Sequence, residues 1–296
     1  MTNISKTILF FGTEEFSLAT LQALISSGYP IGAVITKPDS KKGRGHKLST
    51  PIVKKLALEH NIPVLQPDKL SDINEEIKAM GDVAGVLVSY GKIIPQSTLD
   101  LFSPGIINIH PSLLPKYRGP SPIESVIQDG ELETGVSIMK LSQDMDAGGV
   151  YKQVMYPLEF NETGPDLYNT LAAIGASEIV ALLPDILNGS LQPVEQNELK
   201  ATYTHLLGKQ DAWIKLDQIG AEEAERTIRA YLEFPRTKLS VFGHDIIVTS
   251  AHVSSEQKTP LDFLCRDGAY LSVDELIAPS GKYMTAQDFL NGYAAG

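Results

Sequence analysis

Residues Val83 to Val88 (VAGVLV) form a near-continuous apolar run of strand length. That is the pattern of a parallel strand buried on both faces. Parallel neighbours need long crossovers, usually helical, and the chain provides them. Thr7 to Phe11 (TILFF) reads as a buried strand stopped by Gly12. Glu14 to Ser26 places apolar residues at Phe16, Leu18, Ala19, Leu21, Ala23, Leu24 and Ile25, a mostly buried helix ended by Gly28. Ile31 to Thr36 is the next strand. Pro51 to His60 is a helix, with Thr50 as N-cap and Pro51 in first position, and Val64-Leu65 is a short strand. This alternation predicts an α/β fold built on a Rossmann-like, mostly parallel sheet.

The later chain differs. A long amphipathic helix is predicted from Asn161 to Gly189, followed by a polar stretch from Ser190 to Thr202. Beyond it come one helical segment, Ala221 to Tyr231, and short strands at Leu239 to Phe242, Asp245 to Ser250, Leu261 to Cys265 and Tyr270 to Val273. Short strands separated by turns predict a smaller OB-like β-barrel. The 296 residues then divide into a first domain over 1–189, a linker over 190–204 and a second domain over 205–296. A composition of 43% hydrophobic and 21% charged residues excludes a wholly disordered chain. No stretch approaches the ~20 apolar residues of a spanning helix, so no membrane association is expected. The lone Cys265 cannot form an internal disulfide or a thiolate metal site. With no secretory signal at the N-terminus, a cytoplasmic setting is expected.

The turn after the first strand, Gly12-Thr13-Glu14-Glu15-Phe16, lacks the glycines of a dinucleotide fingerprint, and its two glutamates repel phosphate. Phosphate chemistry points elsewhere. Seven of the chain's 25 Lys and Arg fall within the 19 residues from Lys37 to Lys55, in a chain of net charge −11. Lys41, Lys42, Arg44 and Lys47, with Gly43 and Gly45, read as a flexible loop that contacts a nucleic-acid backbone. The competing reading is a solvated basic loop.

The chemistry concentrates in Gly105 to Glu124 (GIINIHPSLLPKYRGPSPIE). Asn108 and His110 are two apart on a predicted strand, so their side chains share a face at its carboxyl end. By itself an Asn-x-His pair is more often structural than functional. The loop that follows, rich in Pro, Gly and apolar residues, raises its weight. A second predicted strand, Gly135 to Lys140, leads into Asp144-Met145-Asp146-Ala147-Gly148, an acid within reach of the same cleft. The six histidines are scattered without a close pair, which disfavours a metal centre. Arg118 either binds an acidic substrate group or pins the loop, with the structural role preferred; Trp213 is expected in a core.

His110-Pro111-Ser112-Leu113-Leu114-Pro115-x-Tyr117-Arg118-Gly119, then Glu133-Thr134-Gly135-Val136, then Met145-Asp146-Ala147-Gly148, resembles the 10-formyltetrahydrofolate-dependent formyltransferases. Lys37-Pro38-Asp39 through Gly43-Arg44-Gly45 resembles the branch acting on methionyl-tRNA. So does the end of the chain, Pro279-Ser280-Gly281-Lys282-x-Met284 with Phe289-Leu290-x-Gly292. The resemblance implies that Asn108, His110 and Asp146 are catalytic and that Ser112, Leu113, Leu114 and Pro115 contact folate. It also implies folate contacts from Tyr90, Gly91 and Ile93, and tRNA contacts from Lys41, Lys42, Arg44 and Lys47. The implied substrates are 10-formyltetrahydrofolate and initiator methionyl-tRNA, on a monomer that needs no metal.

Transfer of a formyl group to an amine develops an oxyanion, for which Asn108 and His110 are natural donors, with Asp146 orienting His110 and assisting proton transfer. One departure is Phe234-Pro235-Arg236, where the family commonly has Trp-Pro-Gly. Another is the second domain's charge: residues 201–296 hold nine Lys and Arg against 13 Asp and Glu. Arg226, Arg229, Arg236 and Lys238 are close enough in sequence to make one basic patch. The rival readings are the same transfer to a small amine, such as an amino-sugar nucleotide, and a non-catalytic RNA-binding protein.

Overall fold

The computed structural model describes residues 6–42 and 47–294. The chain divides into two compact units. The first comprises residues 1–118, 135–156 and 169–202, and the second comprises residues 119–134, 157–168 and 203–296.

The early chain runs β1 (Thr7–Gly12), α1 (Phe16–Ser26), β2 (Ile31–Ile35), β3 (Ser40–Lys42), β4 (Lys47–Ser49), α2 (Ile52–Glu59) and β5 (Val64–Leu65). It continues through α3 (Asn74–Ala79), β6 (Val83–Val88), α4 (Gln96–Leu99) and β7 (Phe102–His110). Next come α5 (Pro122–Asp129), β8 (Glu133–Lys140), β9 (Val150–Pro157) and α6 (Gly164–Leu187). The main sheet has the order β5-β2-β1-β6-β7-β8-β9. The first five are parallel; β8 runs antiparallel to β7, pairing His110 with Ser137 and Ile107 with Lys140. The apolar runs of β1 and β6 are buried as expected of central strands, with Ile8 to Phe11 at 0% exposure.

Three local details differ from the sequence expectation. Pro51, not Thr50, holds the cap position of α2, and the Thr50 hydroxyl instead lies 3.4 Å from the Asp39 carboxylate. The basic segment is not an irregular loop: β3 and β4 pair antiparallel as a hairpin, Lys42 opposite Lys47. The side chains of Lys41, Lys42 and Lys47, and all of Arg44, lie outside the described residues. Finally, α6 is 24 residues long, and an 18-residue window of it has mean hydropathy 1.6, enough by length and composition to cross a membrane. The expectation that no segment reaches that mark was too strict, because the Leu, Ile, Val and Ala residues of the helix outweigh its interspersed polar ones. Leu167, Leu171, Ile179, Leu183 and Ile186 of this helix are nonetheless buried in the protein.

The last part of the second unit holds α7 (Ala221–Ala230), β10 (Lys238–Val241), β11 (His244–Ser254), β12 (Asp262–Leu264), β13 (Tyr270–Ile277), β14 (Tyr283–Thr285) and α8 (Ala286–Tyr293). Its five strands form an antiparallel half-barrel in the order β10-β11-β13-β12, with β14 also on β13. Register shifts in β11 around Ser250 mark the irregularity that lets such a sheet curl. Its core unites Ala224 and Ile228 of α7 with Ile246, Val248, Leu271 and Leu276 of the strands and Phe289 of α8. The helix α8 went unread in the sequence, although Thr285 caps it by accepting a hydrogen bond from the Asp288 N–H. Trp213 is 43% exposed rather than core, with the Lys238 ammonium 5.7 Å from its ring centre. Arg236 has φ 68°, a left-handed conformation that favours glycine, at the position where the family commonly carries one.

Candidate active site

The carboxyl ends of β1, β6 and β7 lie at one edge of the parallel sheet, and their loops are tied together. Thr13 and Glu14 donate backbone N–H groups to the Ser89 carbonyl, linking the loop after β1 to the loop after β6. Asn108 and His110 end β7 with 6% and 5% exposure. Two buried polar side chains on one strand face, among Ile106, Ile107 and Ile109, are costly unless paired or used.

His110 is paired on both sides of its ring. Its Nε2 lies 2.8 Å from the Tyr117 carbonyl oxygen, which can only accept, so Nε2 carries a proton. Its Nδ1 faces the Asp146 carboxylate at 3.7 Å. The tautomer is therefore set by the Tyr117 carbonyl and not by Asp146, as the sequence had suggested. Nδ1 is the nitrogen left for chemistry.

Asp146 does not reach the site as a simple extension of a strand end. Because β8 is antiparallel, its carboxyl end, Lys140, sits beside Ile107, before His110 on β7. The connection 141–149 must turn back to deliver Asp146. Asp146 itself adopts φ 49°, and a Cβ on Gly148 would overlap the Lys140 carbonyl oxygen. The turn is thus closed tightly around backbone.

The loop after β7 is pinned internally. Ser112 Oγ donates to the Lys116 carbonyl, Ser137 Oγ donates to the Ser112 carbonyl, and the Leu114 N–H donates to Ser137 Oγ. Gln153 donates to the Leu114 carbonyl. Ser112 and Leu114 are buried, whereas Leu113 and Pro115 are partly exposed. Of the residues on the loop after β6, Ile93 is 88% exposed and Gly91 turns at φ 69°. The Tyr90 ring instead belongs to the core, 5.7 Å from the Phe11 ring, and burial pushes its phenol up to about 12.

Arg118 is 0% exposed. Its guanidinium engages Glu198 at 2.6 and 2.9 Å and the Gln196 side-chain oxygen at 2.9 and 3.2 Å. The hydrogen bond from Arg118 holds the Glu198 carboxyl below the usual carboxylate range. Arg118 thus ties its loop to the segment after α6, whose Gln196 and Glu198 were not singled out in the sequence. Their signal was available only as an alternation of two polar residues. In the second unit, Arg226 and Arg229 are not a free basic patch: they pair with Glu222 at 3.9 Å and Glu225 at 2.7 Å. No cluster of His, Cys, Asp and Glu suited to a metal ion occurs among the described residues.

The formyl transferase family profile matches residues 6–183, which contain this whole strand-end arrangement. A methionyl-tRNA formyltransferase of Pseudomonas entomophila L48 is 38% identical over 96% of this chain and 95% of its own length. One from Pseudomonas putida KT2440 is 38% identical over 98% of both. The chain belongs to the methionyl-tRNA formyltransferase family. Solved structures share the fold of the formyltransferases at lower identity. The N-formyltransferase of Helicobacter canadensis, in complex with folinic acid and dTDP-3-aminofucose, matches with TM-score 0.66 at 18% identity, covering 90% of this chain and 98% of that one. HypX of Aquifex aeolicus with tetrahydrofolic acid matches with TM-score 0.60 at 17% identity, covering 98% of this chain and 47% of that one.

Proposed function

We propose that this enzyme transfers the formyl group of 10-formyltetrahydrofolate to the amino group of initiator methionyl-tRNA, with Asn108, His110 and Asp146 at the reacting centre. The observation that carries this reading is the two-sided hold on His110, within a chain so close to methionyl-tRNA formyltransferases along its full length.

The residues fit the folate co-substrate. The loop after β6 and the connection after β8 present exposed apolar side chains, Ile93 at 88% and Met145 at 60%, suited to a flat, partly apolar heterocycle. On the loop after β7, Leu113 and Pro115 are partly exposed, while Ser112 and Leu114 are buried and support the loop from within. Tyr90 contributes its backbone only, since its ring is in the core.

In the reaction, the amine nitrogen attacks the formyl carbon, and the carbonyl oxygen becomes an oxyanion. Asn108 donates from its amide, and His110 donates from Nδ1 when the ring carries both protons. Removing one such donor typically costs ~100–1000-fold in rate. The attacking nitrogen loses a proton, which Asp146 collects directly or through a water. The bond from the formyl carbon to the folate nitrogen then breaks as that nitrogen takes up a proton. Charge and protons balance without a covalent enzyme intermediate.

The β3–β4 hairpin, with Lys41, Lys42, Arg44 and Lys47, contacts the tRNA backbone, and residues 205–296 add a second contact surface. A cytoplasmic setting follows from that substrate. The test is formyl transfer from 10-formyltetrahydrofolate to charged initiator methionyl-tRNA, with His110→Ala alongside. Robust transfer that collapses in the variant is expected. Folate binding without transfer to the tRNA would sink the acceptor assignment and move it to a small amine.

A further inference from the structure

We propose that Gln196 is a positioning residue for Asp146, and that residues 194–202 form a clamp holding both partners of His110 in place. The inference rests on the formyl-transfer reading above and extends it to a segment that, in sequence, is only a polar connection.

The side-chain amide of Gln196 donates to two carbonyls of the turn that carries the acid, Asp146 O at 2.8 Å and Gly148 O at 2.7 Å. Its side-chain oxygen accepts from Arg118 Nε and Nη2. Its donors and its acceptor are thus used at once, and the amide cannot rotate without breaking both sets. Arg118 is in turn locked by two hydrogen bonds to Glu198. The amide orientation follows from these partners, because the guanidinium only donates and the carbonyls only accept.

The same segment controls the other side of the ring. Thr202 Oγ1 accepts the Tyr117 N–H at 2.8 Å, the Thr202 carbonyl accepts the Arg118 N–H at 2.9 Å, and the Thr202 N–H donates to Pro115 O at 3.2 Å. Tyr117 is the residue whose carbonyl sets the His110 tautomer, and it sits at φ 58°. At the opposite end, Val194 and Val150 exchange backbone hydrogen bonds of 2.8 and 2.9 Å. One stretch of chain therefore fixes the carbonyl at Nε2 and the turn that brings the carboxylate to Nδ1. Both partners occupy left-handed backbone, which a non-glycine residue keeps only when its surroundings over-determine it.

The side-chain amide of Gln196 is spent on Arg118 and on the turn carbonyls. Its effect passes through the Asp146 backbone to the carboxylate, and a displacement near 1 Å in a reacting group costs on the order of 100-fold in rate. The full chain is tested with 10-formyltetrahydrofolate and charged initiator methionyl-tRNA. Gln196→Met is expected to lower kcat about 100-fold while both KM values stay within about threefold. Gln196→Glu keeps the Arg118 pairing and the side-chain size but loses the donor, so it should lose activity likewise, and it carries the test if the Met variant fails to fold. In an Asp146→Asn background, Gln196→Met should add less than about threefold, because the two act as one unit. Equal costs in both backgrounds, or wild-type kcat in Gln196→Glu, would overturn the proposal.

A readout independent of turnover separates this from a failure of the functional reading. In nitrogen-15 spectra of the imidazole, the His110 Nδ1 signal should move in Gln196→Met in the same direction as in Asp146→Asn. An unmoved Nδ1 signal refutes the clamp even if transfer to tRNA is confirmed. A moved signal supports it even if the acceptor proves to be a small amine.

Discussion

Replacing Tyr90 by phenylalanine should stabilise the protein. Tyr90 is 1% exposed and packs with Leu9, Phe11, Ile35, Ile77 and Phe102. Its hydroxyl has no hydrogen-bond partner among the described residues. A buried polar group left unpaired costs about 1–3 kcal/mol. Phenylalanine keeps the ring and removes the oxygen, leaving a gap of about one atom whose cost is below about 1 kcal/mol. The expected net gain is about 1 kcal/mol, or roughly 2–4 °C in Tm for a body of this size. A second effect appears at high pH. Burial pushes the phenol from 10.0 up to about 12. A group with a raised folded value gives its full contribution below the unfolded value and loses it as pH rises through the folded one. The difference amounts to about 3 kcal/mol, half of it lost by about pH 11. Urea unfolding without folate, at pH 8 and pH 11, reads both effects. Tyr90→Phe should be more stable than wild type at pH 8, and the gap should widen by on the order of 1 kcal/mol at pH 11. A lower unfolding free energy in the variant at pH 8 would mean that the hydroxyl has a partner, and the reasoning would be wrong.

Glu198 is held below the usual carboxylate range by Arg118, so its contribution is present above pH ~4.3 and is lost as pH falls through its folded value. Acid titration of Glu198→Gln should show a shallower loss of stability below that pH than wild type; an unchanged acid limb would count against the ion pair. In Gly148→Ala, the new Cβ must push on the Lys140 carbonyl and shift the turn bearing Asp146. Its kcat should fall about 100-fold, measured under saturating substrates, and a fully active variant would show that the turn adapts. Neutralising Lys41, Lys42 and Lys47 together should flatten the salt dependence of methionyl-tRNA binding, by roughly 0.7–0.9 in log–log slope for each phosphate that is no longer neutralised. An unaltered slope in filter binding would remove the hairpin from the interface. Arg236→Gly relieves a left-handed backbone at φ 68° and should raise Tm slightly, since about 1–2 kcal/mol of strain is set against about 0.5–1 kcal/mol of extra chain entropy. A scanning calorimetry trace with a lower Tm would contradict this.

The strands β1 and β6 were legible because burial on both faces writes itself as a continuous apolar run. Asn108 and His110 were legible as a pair because a strand's two-residue period puts them on one face. An acid past the strand Gly135 to Lys140 was legible as a candidate, but its catalytic role came from resemblance; nothing local says that a strand antiparallel to β7 would send a turn back to His110. Gln196 was missed because its work is done on backbone carbonyls, which every residue type has and no sequence pattern marks. The possible basic patch of Arg226, Arg229, Arg236 and Lys238 is narrowed at its first two members for a related reason. Their partners, Glu222 and Glu225, sit one helical turn away and consume the charge locally.

Local physics in the chain, its apolar periods, caps, glycines and charge runs, determined the elements, the alternation that makes a parallel sheet, and the residue types available for acyl chemistry. Tertiary structure decided which of those residues meet. The tautomer of His110 depends on a carbonyl seven residues ahead, and the place of Asp146 depends on an amide fifty residues later. Hydrogen bonds of that kind are set by where the folded backbone passes. Closing those loops costs entropy that only the packed sheet and core can offset, so the arrangement exists in the fold and nowhere shorter.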